Sequence, residues 1–153
     1  MILNKMTQKI NEFCVKGNLE EFRNILQDIF HKIEKGNCTI SARYDSEISS
    51  HVDSIIRISL LPIYKKPLHI LWTILHEFGH CLSGAIDKKD EYNLEVRIAS
   101  EEKAWEYAEK ELLKFPVLLE WNADFKNYKN ECLKTYYNKR ITCGNTQYKK
   151  LGG

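Results

Sequence analysis

The sequence predicts an α+β protein that is mostly helical, with a small sheet placed before a helix of the form HExxH. Segments toward both ends of the chain repeat their apolar residues with helical spacing, whereas a central segment is rich in β-branched residues. The chain has 153 residues, of which 43% are hydrophobic, and this is enough for one core but short for two. We therefore expect a single domain over residues 1–153.

Helices open the predicted domain. A short helix is expected around residues 4–15, and a longer one over residues 18–36. Asn18 followed by Glu21 is typical of a helix start, and Gly36 is typical of a helix end. The apolar residues between these ends form one stripe: Phe22, Ile25, Leu26, Ile29 and Ile33. One face of this helix should therefore pack on the core.

Two strands are predicted next, over residues 38–45 and 53–62, because both segments are β-branched and partly alternating. The second contains the run SIIRISLLPI, with Pro62 near its end. We expect this run to form the edge of the sheet, where an extended peptide can add as a further strand. Pro62 would end its capacity to pair.

The helix that carries the HExxH pattern is expected over residues 68–83. Pro67 suits the position at a helix start, where its missing N–H removes no hydrogen bond, and Gly84 suits the end. Another helix is expected over residues 94–114.

Pro116 should separate that helix from a last one over residues 117–139. Residues 141–153 show no apolar periodicity, so we expect a loose tail there. The packed core should accordingly span about residues 18–140.

Charge and composition favour a soluble, cytoplasmic protein. The formal net charge of +2 gives no general reason to expect a nucleic-acid or membrane partner, although the region from Lys126 onward is basic by seven to one. No segment approaches the roughly 20 apolar residues of a membrane span, and the first residues lack the apolar core of a signal peptide. The five cysteines are scattered and odd in number, which favours free thiols in a reducing compartment.

The stretch ILHEFGHCLSG contains residues suited to binding a metal ion. His76 and His80 are four residues apart, so a helix projects both imidazoles from nearly one face, where they can reach the same metal ion. The apolar residues lie on a different face: Leu71, Ile74, Leu75, Phe78 and Leu82. Glu77 lies about 100° round from His76, and Gly79 inside the helix indicates a close approach of another backbone.

These residue types suit zinc. A catalytic zinc site has three protein ligands and one open position, and the ion makes a bound water acidic enough to lose its proton near neutral pH. We expect His76 and His80 to be two of the ligands and Glu77 to be the general base that takes the proton.

The third ligand should come from the following helix. Glu101 heads a stripe that continues with Ala104, Trp105, Ala108 and Leu112, and small alanines would let this helix approach the histidine helix, at Gly79. The pattern leaves other acids open as ligands: Glu102, Asp87, Asp90, Glu91 and Glu95.

The two stretches HEFGHCLSG and EEKAWEYAEKELLKFP together resemble the ImmA/IrrE-type zinc metallopeptidases, which have an HExGH helix and a later helix of the form ExxAxx(F/Y)A. The second pattern falls on Glu101, Ala104, Tyr107 and Ala108. The resemblance covers about a third of the chain and implies a minimal gluzincin fold, bound zinc, and a repressor or regulator as the protein that is cleaved.

The sequence also departs from that pattern. The broader gluzincins often have an acid four residues after the ligand glutamate, where this chain has Trp105. The residue that stabilises the transition state is not identified by any motif. The candidates are Tyr92, Tyr136, Tyr137 and Arg140.

The sequence thus predicts a zinc metallo-endopeptidase that cleaves a specific protein by metal-activated water. The alternative is a nucleic-acid or protein-binding regulatory module with a structural or vestigial metal site, since the basic C-terminal region interleaves lysines with tyrosines. A zinc hydrolase acting on another carbonyl compound would need the same residues.

Overall fold

The computed structural model describes residues 4–44, 50–60, 66–84 and 86–152. The described part is mostly helical with one small sheet, as predicted. In chain order its helices and strands are α1 (Lys5–Lys16), α2 (Arg23–Lys35), β1 (Thr39–Arg43), β2 (Ser50–Val52), β3 (Ile55–Ser59), α3 (Pro67–Ser83), α4 (Leu94–Leu112) and α5 (Asn122–Gly152).

The second helix starts later than predicted. Asn18 is not its N-cap; it takes a left-handed conformation with φ of 56°, and a 3₁₀ turn over Glu20–Phe22 precedes α2. Asparagine tolerates this conformation better than most residues, so here it serves the turn between α1 and α2. The predicted end is confirmed, because Gly36 follows α2 and its N–H donates to the carbonyl of Lys32.

The sheet has three strands in the order β1-β3-β2 within the described residues. Strand β3 pairs in parallel with β1 and antiparallel with β2, which is joined to it by the turn residues Asp53 and Ser54. Both turn residues have positive φ, 52° and 63°, as in a tight two-residue hairpin. The predicted strand over residues 53–62 therefore begins inside a hairpin turn.

The prediction that the SIIRISLLPI run forms the sheet edge is wrong. Strand β3 lies in the centre, and β2 is an outer strand. Ile56 and Ile58 are fully buried, and a consecutive apolar run is typical of a strand covered on both faces. Pro62 lies outside the described residues.

The helix α3 is the centre of the domain. It begins at Pro67 and is followed by Gly84 with φ of 82°, so both predicted ends are confirmed. Its residues from Leu68 to His80 are almost all buried. The apolar residues of this stretch belong to one cluster that draws side chains from every helix, among them Phe13, Ile29, Trp72, Leu112 and Phe125.

The C-terminal region differs from the prediction. Residues Pro116–Trp121 form a 3₁₀ segment, and α5 then continues to Gly152, whereas the sequence predicted a helix over 117–139 and a loose tail over 141–153. No proline follows Pro116, and Gly144, inside α5, does not interrupt the helix. Within the described residues, no helix combines the length and apolar composition needed to cross a membrane.

Candidate metal centre

Two histidines of α3 meet at one point. His76 and His80 are 9% and 5% exposed, and their Nε2 atoms are 3.1 Å apart. The one-turn spacing predicted from the sequence therefore places both imidazoles side by side, with their rings nearly perpendicular at 78°.

The carboxylate of Glu101 on α4 completes the group. Its Oε2 lies 2.8 Å from Nε2 of His76, and its Oε1 lies 3.0 Å from Nε2 of His80. The two histidines and Glu101 can thus hold one metal ion, since their ligand atoms lie within 4.8 Å of one another. Among the described residues, this is the one group of three or more such side chains that meets this condition.

The spacing fits a small tetrahedral ion. Zinc–ligand bonds of about 2.0 Å place the ligand atoms of a tetrahedral site roughly 3.3 Å apart. The shortest separations between the three side chains are 2.8, 3.0 and 3.1 Å, the first two to different oxygens of Glu101. They fall just short of that value, so a small outward movement of the side chains makes room for the ion. Two imidazoles and one carboxylate are a ligand set that zinc uses in catalytic sites.

The helix α4 reaches the histidines because Gly79 lets its backbone come close. A Cβ atom placed on Gly79 would lie 2.9 Å from the carbonyl oxygen of Ala104 and 3.1 Å from its Cα. Ala104 and Ala108 are fully buried between the helices. The predicted contact between Gly79 and the Glu101 helix is therefore confirmed.

Neighbouring side chains orient the two imidazoles. The indole of Trp105 stacks on His76, with the ring centroids 4.3 Å apart and the planes 19° from parallel. Nδ1 of His80 lies 3.4 Å from Oγ of Ser100. The sequence placed Trp105 on the same stripe as Glu101 but gave no indication of this stacking, because the partner ring lies on another helix.

Glu77 is buried beside the group but is not part of it. Its Oε1 lies 3.5 Å from Nδ1 of His76, whereas Nε2 of the same ring faces Glu101. The carboxylate is 7% exposed. The structure thus places the predicted base next to a predicted ligand.

The electrostatics of the group favour a cation. Burial disfavours the charged form of His76, but hydrogen bonds to Glu101 and Glu77 outweigh burial and raise the pKa of His76 to about 9. Burial likewise opposes the charged form of Glu101, yet the hydrogen bonds from both histidines leave the pKa of this carboxyl far below its usual range. The two carboxylates therefore create a negative potential around the imidazoles.

The other acids considered as ligands lie elsewhere. The structure does not bring Glu102, Asp87, Asp90 or Glu91 into the group, and Glu95 forms an ion pair of 2.7 Å with Arg140. Glu102 is exposed on α4. The position one residue away from Glu101 on a helix thus faces solvent, as the 100° rotation per residue requires.

Among the four candidates for stabilising the transition state, Tyr136 is the one beside the group. Its hydroxyl donates to Oε1 of Glu101 at 3.2 Å, and burial, together with the charge of Glu101, raises its pKa to about 12. Tyr92 is 89% exposed, and Arg140 is held by Glu95. Tyr137 packs against the core, with the Arg140 guanidinium over its ring.

A cleft of about 440 Å³ opens beside the group. Its walls include His80 and Glu101, Tyr136 from α5, the β2–β3 turn at Asp53, and Arg97 from α4. Sequence reasoning missed Arg97 and the turn, because only the folded chain brings these segments together. Arg97 and Glu101 are four residues apart on one helix, so the sequence does indicate that both side chains project from the same face.

The free thiols predicted from the sequence are found at four of the five cysteines: Cys14, Cys38, Cys81 and Cys132. The side chain of Cys143 lies outside the described part of the chain. None of the four belongs to the metal-binding group.

No protein-family model matches this chain, and no curated protein or solved structure is detectably similar to it. The likeness to the ImmA/IrrE-type metallopeptidases accordingly rests on the residues of α3 and α4. The chemistry of the group rests on its own geometry.

Proposed function

We propose that this protein is a zinc-dependent metallo-endopeptidase that hydrolyses a peptide bond of a specific protein. The observation that carries the proposal is the convergence of His76, His80 and Glu101 beside an open cleft that His80 and Glu101 line, with the carboxylate of Glu77 next to His76. The HExGH and ExxAxxYA patterns support it, and in the family that they resemble the cleaved protein is a repressor or regulator.

The number of ligands supports a catalytic metal. A structural zinc site is normally closed by four protein ligands, whereas a catalytic site has three and leaves a position open. Three side chains are grouped here among the described residues, and His80 and Glu101 also line the cleft. When bound, zinc would act as a Lewis acid that polarises the peptide carbonyl and makes a water molecule acidic.

Each side chain of the site has a separate role in the proposed reaction. His76, His80 and Glu101 would hold the ion, and α3 with α4 fixes their positions. Glu77 would accept a proton from the attacking water on its carboxylate and then pass it to the departing amine. Tyr136 is protonated at neutral pH, and its hydroxyl, which donates to Glu101 in this structure, would turn from that carboxylate to donate to the developing oxyanion.

The sheet suggests where an extended substrate would lie. Strand β2 is an outer strand, and its last residue, Val52, lines the cleft next to His80. A peptide added alongside β2 would therefore run toward the metal-binding group. This role replaces the one that the sequence assigned to β3.

The alternative, a nucleic-acid-binding module, has less support. Two cations of α5 are paired with acids of α4: Lys129 with Glu109 at 3.4 Å, and Arg140 with Glu95 at 2.7 Å. These pairs reduce the positive charge that the region offers to phosphates.

Replacing Glu77 by glutamine tests the proposed mechanism. We expect Glu77→Gln to retain zinc, because Glu77 is not a ligand, and to lose hydrolysis by a factor of at least about 10² because the general base is removed. The assay is mass spectrometry of new peptide ends after the zinc-loaded protein is incubated with a proteome-derived peptide library. Glu102→Gln, at an exposed position, serves as the control and should cleave normally. Unchanged cleavage by Glu77→Gln contradicts the mechanism.

A further inference from the structure

The cleft beside the metal-binding group contains an arginine that the proposed mechanism does not use. Arg97 lies on α4 one turn before Glu101, is half-buried, and lines the same cleft. Residues four apart on a helix project from one face. The guanidinium and the carboxylate of Glu101 thus face the same space.

The Arg97 guanidinium has no ion pair or side-chain hydrogen bond with any residue that the structure describes. It lies over the ring of Tyr136, whose centroid is 5.9 Å from the guanidinium carbon. Arg140, by contrast, makes two hydrogen bonds to Glu95, at 2.8 and 2.7 Å. The N–H groups of Arg97 therefore remain available to a ligand.

The charges around the cleft favour binding of an anion on the side that Arg97 lines. Arg97 is the one lysine or arginine among the described residues that line it. Asp53, on the opposite β2–β3 turn, is exposed, so solvent screens its charge more than that of the half-buried arginine. Glu101 is already engaged by two histidines and a tyrosine.

We propose that Arg97 binds a carboxylate of the peptide substrate close to the scissile bond, so that the enzyme selects an acidic group at that position. This inference rests on the proposed peptidase function. A planar guanidinium can bind a carboxylate through two parallel hydrogen bonds, which gives both affinity and direction. The carboxylate is either an aspartate or glutamate side chain or the free C-terminus of the peptide.

The test measures the binding of peptide hydroxamates to zinc-loaded protein by titration calorimetry. One pair of probes carries glutamate or glutamine next to the hydroxamate, and a second pair ends in a free carboxylate or an amide. We expect one acidic probe to bind about tenfold more tightly than its neutral partner at low salt, with a smaller advantage at high salt. The pair that shows the advantage identifies the source of the carboxylate.

Substitution of Arg97 tests whether this residue causes the tighter binding of the acidic probe. The difference in affinity should disappear in Arg97→Gln and be reduced in Arg97→Lys, which keeps the charge but loses the paired hydrogen bonds. Lys103→Gln, at an exposed position on the same helix, should keep it. Circular dichroism checks that each variant is folded.

The outcomes separate the two proposals. Equal binding within both pairs, or an acidic advantage that survives in Arg97→Gln, overturns the role of Arg97 and leaves the peptidase proposal standing. If no hydroxamate binds the wild type more tightly than it binds His76→Ala, both proposals are overturned.

Discussion

His76 is held from three directions. The indole of Trp105 covers one face of its ring, Glu101 lies at Nε2, and Glu77 lies near Nδ1. Groups of this kind around a metal-binding histidine fix the orientation of its ring before the ion arrives. The residue four positions after Glu101 thus supports His76 by stacking on its imidazole.

Trp105 should report metal binding directly. We expect Co²⁺ to quench the tryptophan fluorescence, because the indole stacks on His76, a proposed metal ligand, with the ring centroids 4.3 Å apart. The sequence has three tryptophans, and most of the quenching should vanish in Trp105→Phe. The measurement is a fluorescence titration with Co²⁺.

The matched control is Trp121→Phe, since Trp121 is also packed against the core but, among the described residues, stacks on neither histidine. Its quenching should equal that of the wild type. Undiminished quenching in Trp105→Phe would contradict the placement of the ion beside Trp105.

The site depends on the contact between the helices α3 and α4. Gly79 and Ala104 bring the two backbones together at the level of the ligands. A larger residue at either position would push Glu101 away from the histidines, because the interface between two buried helices packs too densely to absorb the extra volume.

Gly79→Ala should destabilise the protein although alanine is the better helix former. The gain in helix propensity is about 1 kcal/mol, whereas overpacking in a core costs about 1–3 kcal/mol. The added methyl group would lie 2.9 Å from a backbone carbonyl, which cannot rotate away as a side chain can. We therefore expect a lower free energy of unfolding in urea and weaker zinc binding.

Leu82→Ala is the control, because Leu82 is 50% exposed on the same helix. Its unfolding free energy should change by no more than about 0.5 kcal/mol. A Gly79→Ala variant that is as stable as the wild type and binds zinc equally well would show that the close approach is not required.

Local periodicity predicted the individual elements better than their arrangement. The ends of α3 follow from Pro67 and Gly84, which act within a few residues. The hairpin turn at Asp53 and Ser54 was missed because neither residue is a glycine, the usual signal for positive φ. The central place of β3 depends on pairing with β1 and β2, which no local pattern records.

At the scale of the whole molecule, a buried carboxylate joins distant parts of the chain. Glu111 of α4 is 6% exposed and pairs with Lys32 of α2 at 2.7 Å and with Lys114 at 2.6 Å. Burial alone would raise the pKa of Glu111, but the hydrogen bonds from Lys114 and Lys32 outweigh it and lower the pKa. The ionised form is therefore the one that stabilises the fold.

The ion pairs of Glu111 with the two lysines predict how the free energy of unfolding depends on pH. Because the folded-state pKa of Glu111 is lowered, its contribution is fully present above the unfolded-state value of about 4.3 and is lost as the pH falls through the lower folded value. Glu111→Gln should reduce the free energy of unfolding by about 1–2 kcal/mol at pH 7, because the two lysines are partly exposed. Below about pH 4 the wild type and the variant should converge.

Urea unfolding at pH 7, 5, 4 and 3 measures this difference. Glu106→Gln, which removes an exposed carboxylate paired with Lys110, should cost at most about 0.5 kcal/mol at every pH. A Glu111→Gln effect that stays constant down to pH 3 would rule out the ion pair as its source.

The site was only partly predictable from the sequence. One helical turn fixes the relation of His76 to His80, and the same rule, applied to α4, selected the stripe of Glu101. Arg97 and the β2–β3 turn share the cleft although more than 40 residues separate Ser54 from Arg97, so only the packing of the sheet on α3 brings them together. Partners that meet through tertiary packing leave no periodic signal in the sequence.

Metal analysis of the purified protein tests the central claim most directly. Wild-type protein dialysed against a weak chelator should retain about one zinc ion per chain, whereas His76→Ala and Glu101→Ala should lose most of it, because each removes one of three ligands. Glu102→Ala, which changes the neighbouring acid, should retain the ion. Full zinc occupancy in both His76→Ala and Glu101→Ala would contradict the site described here.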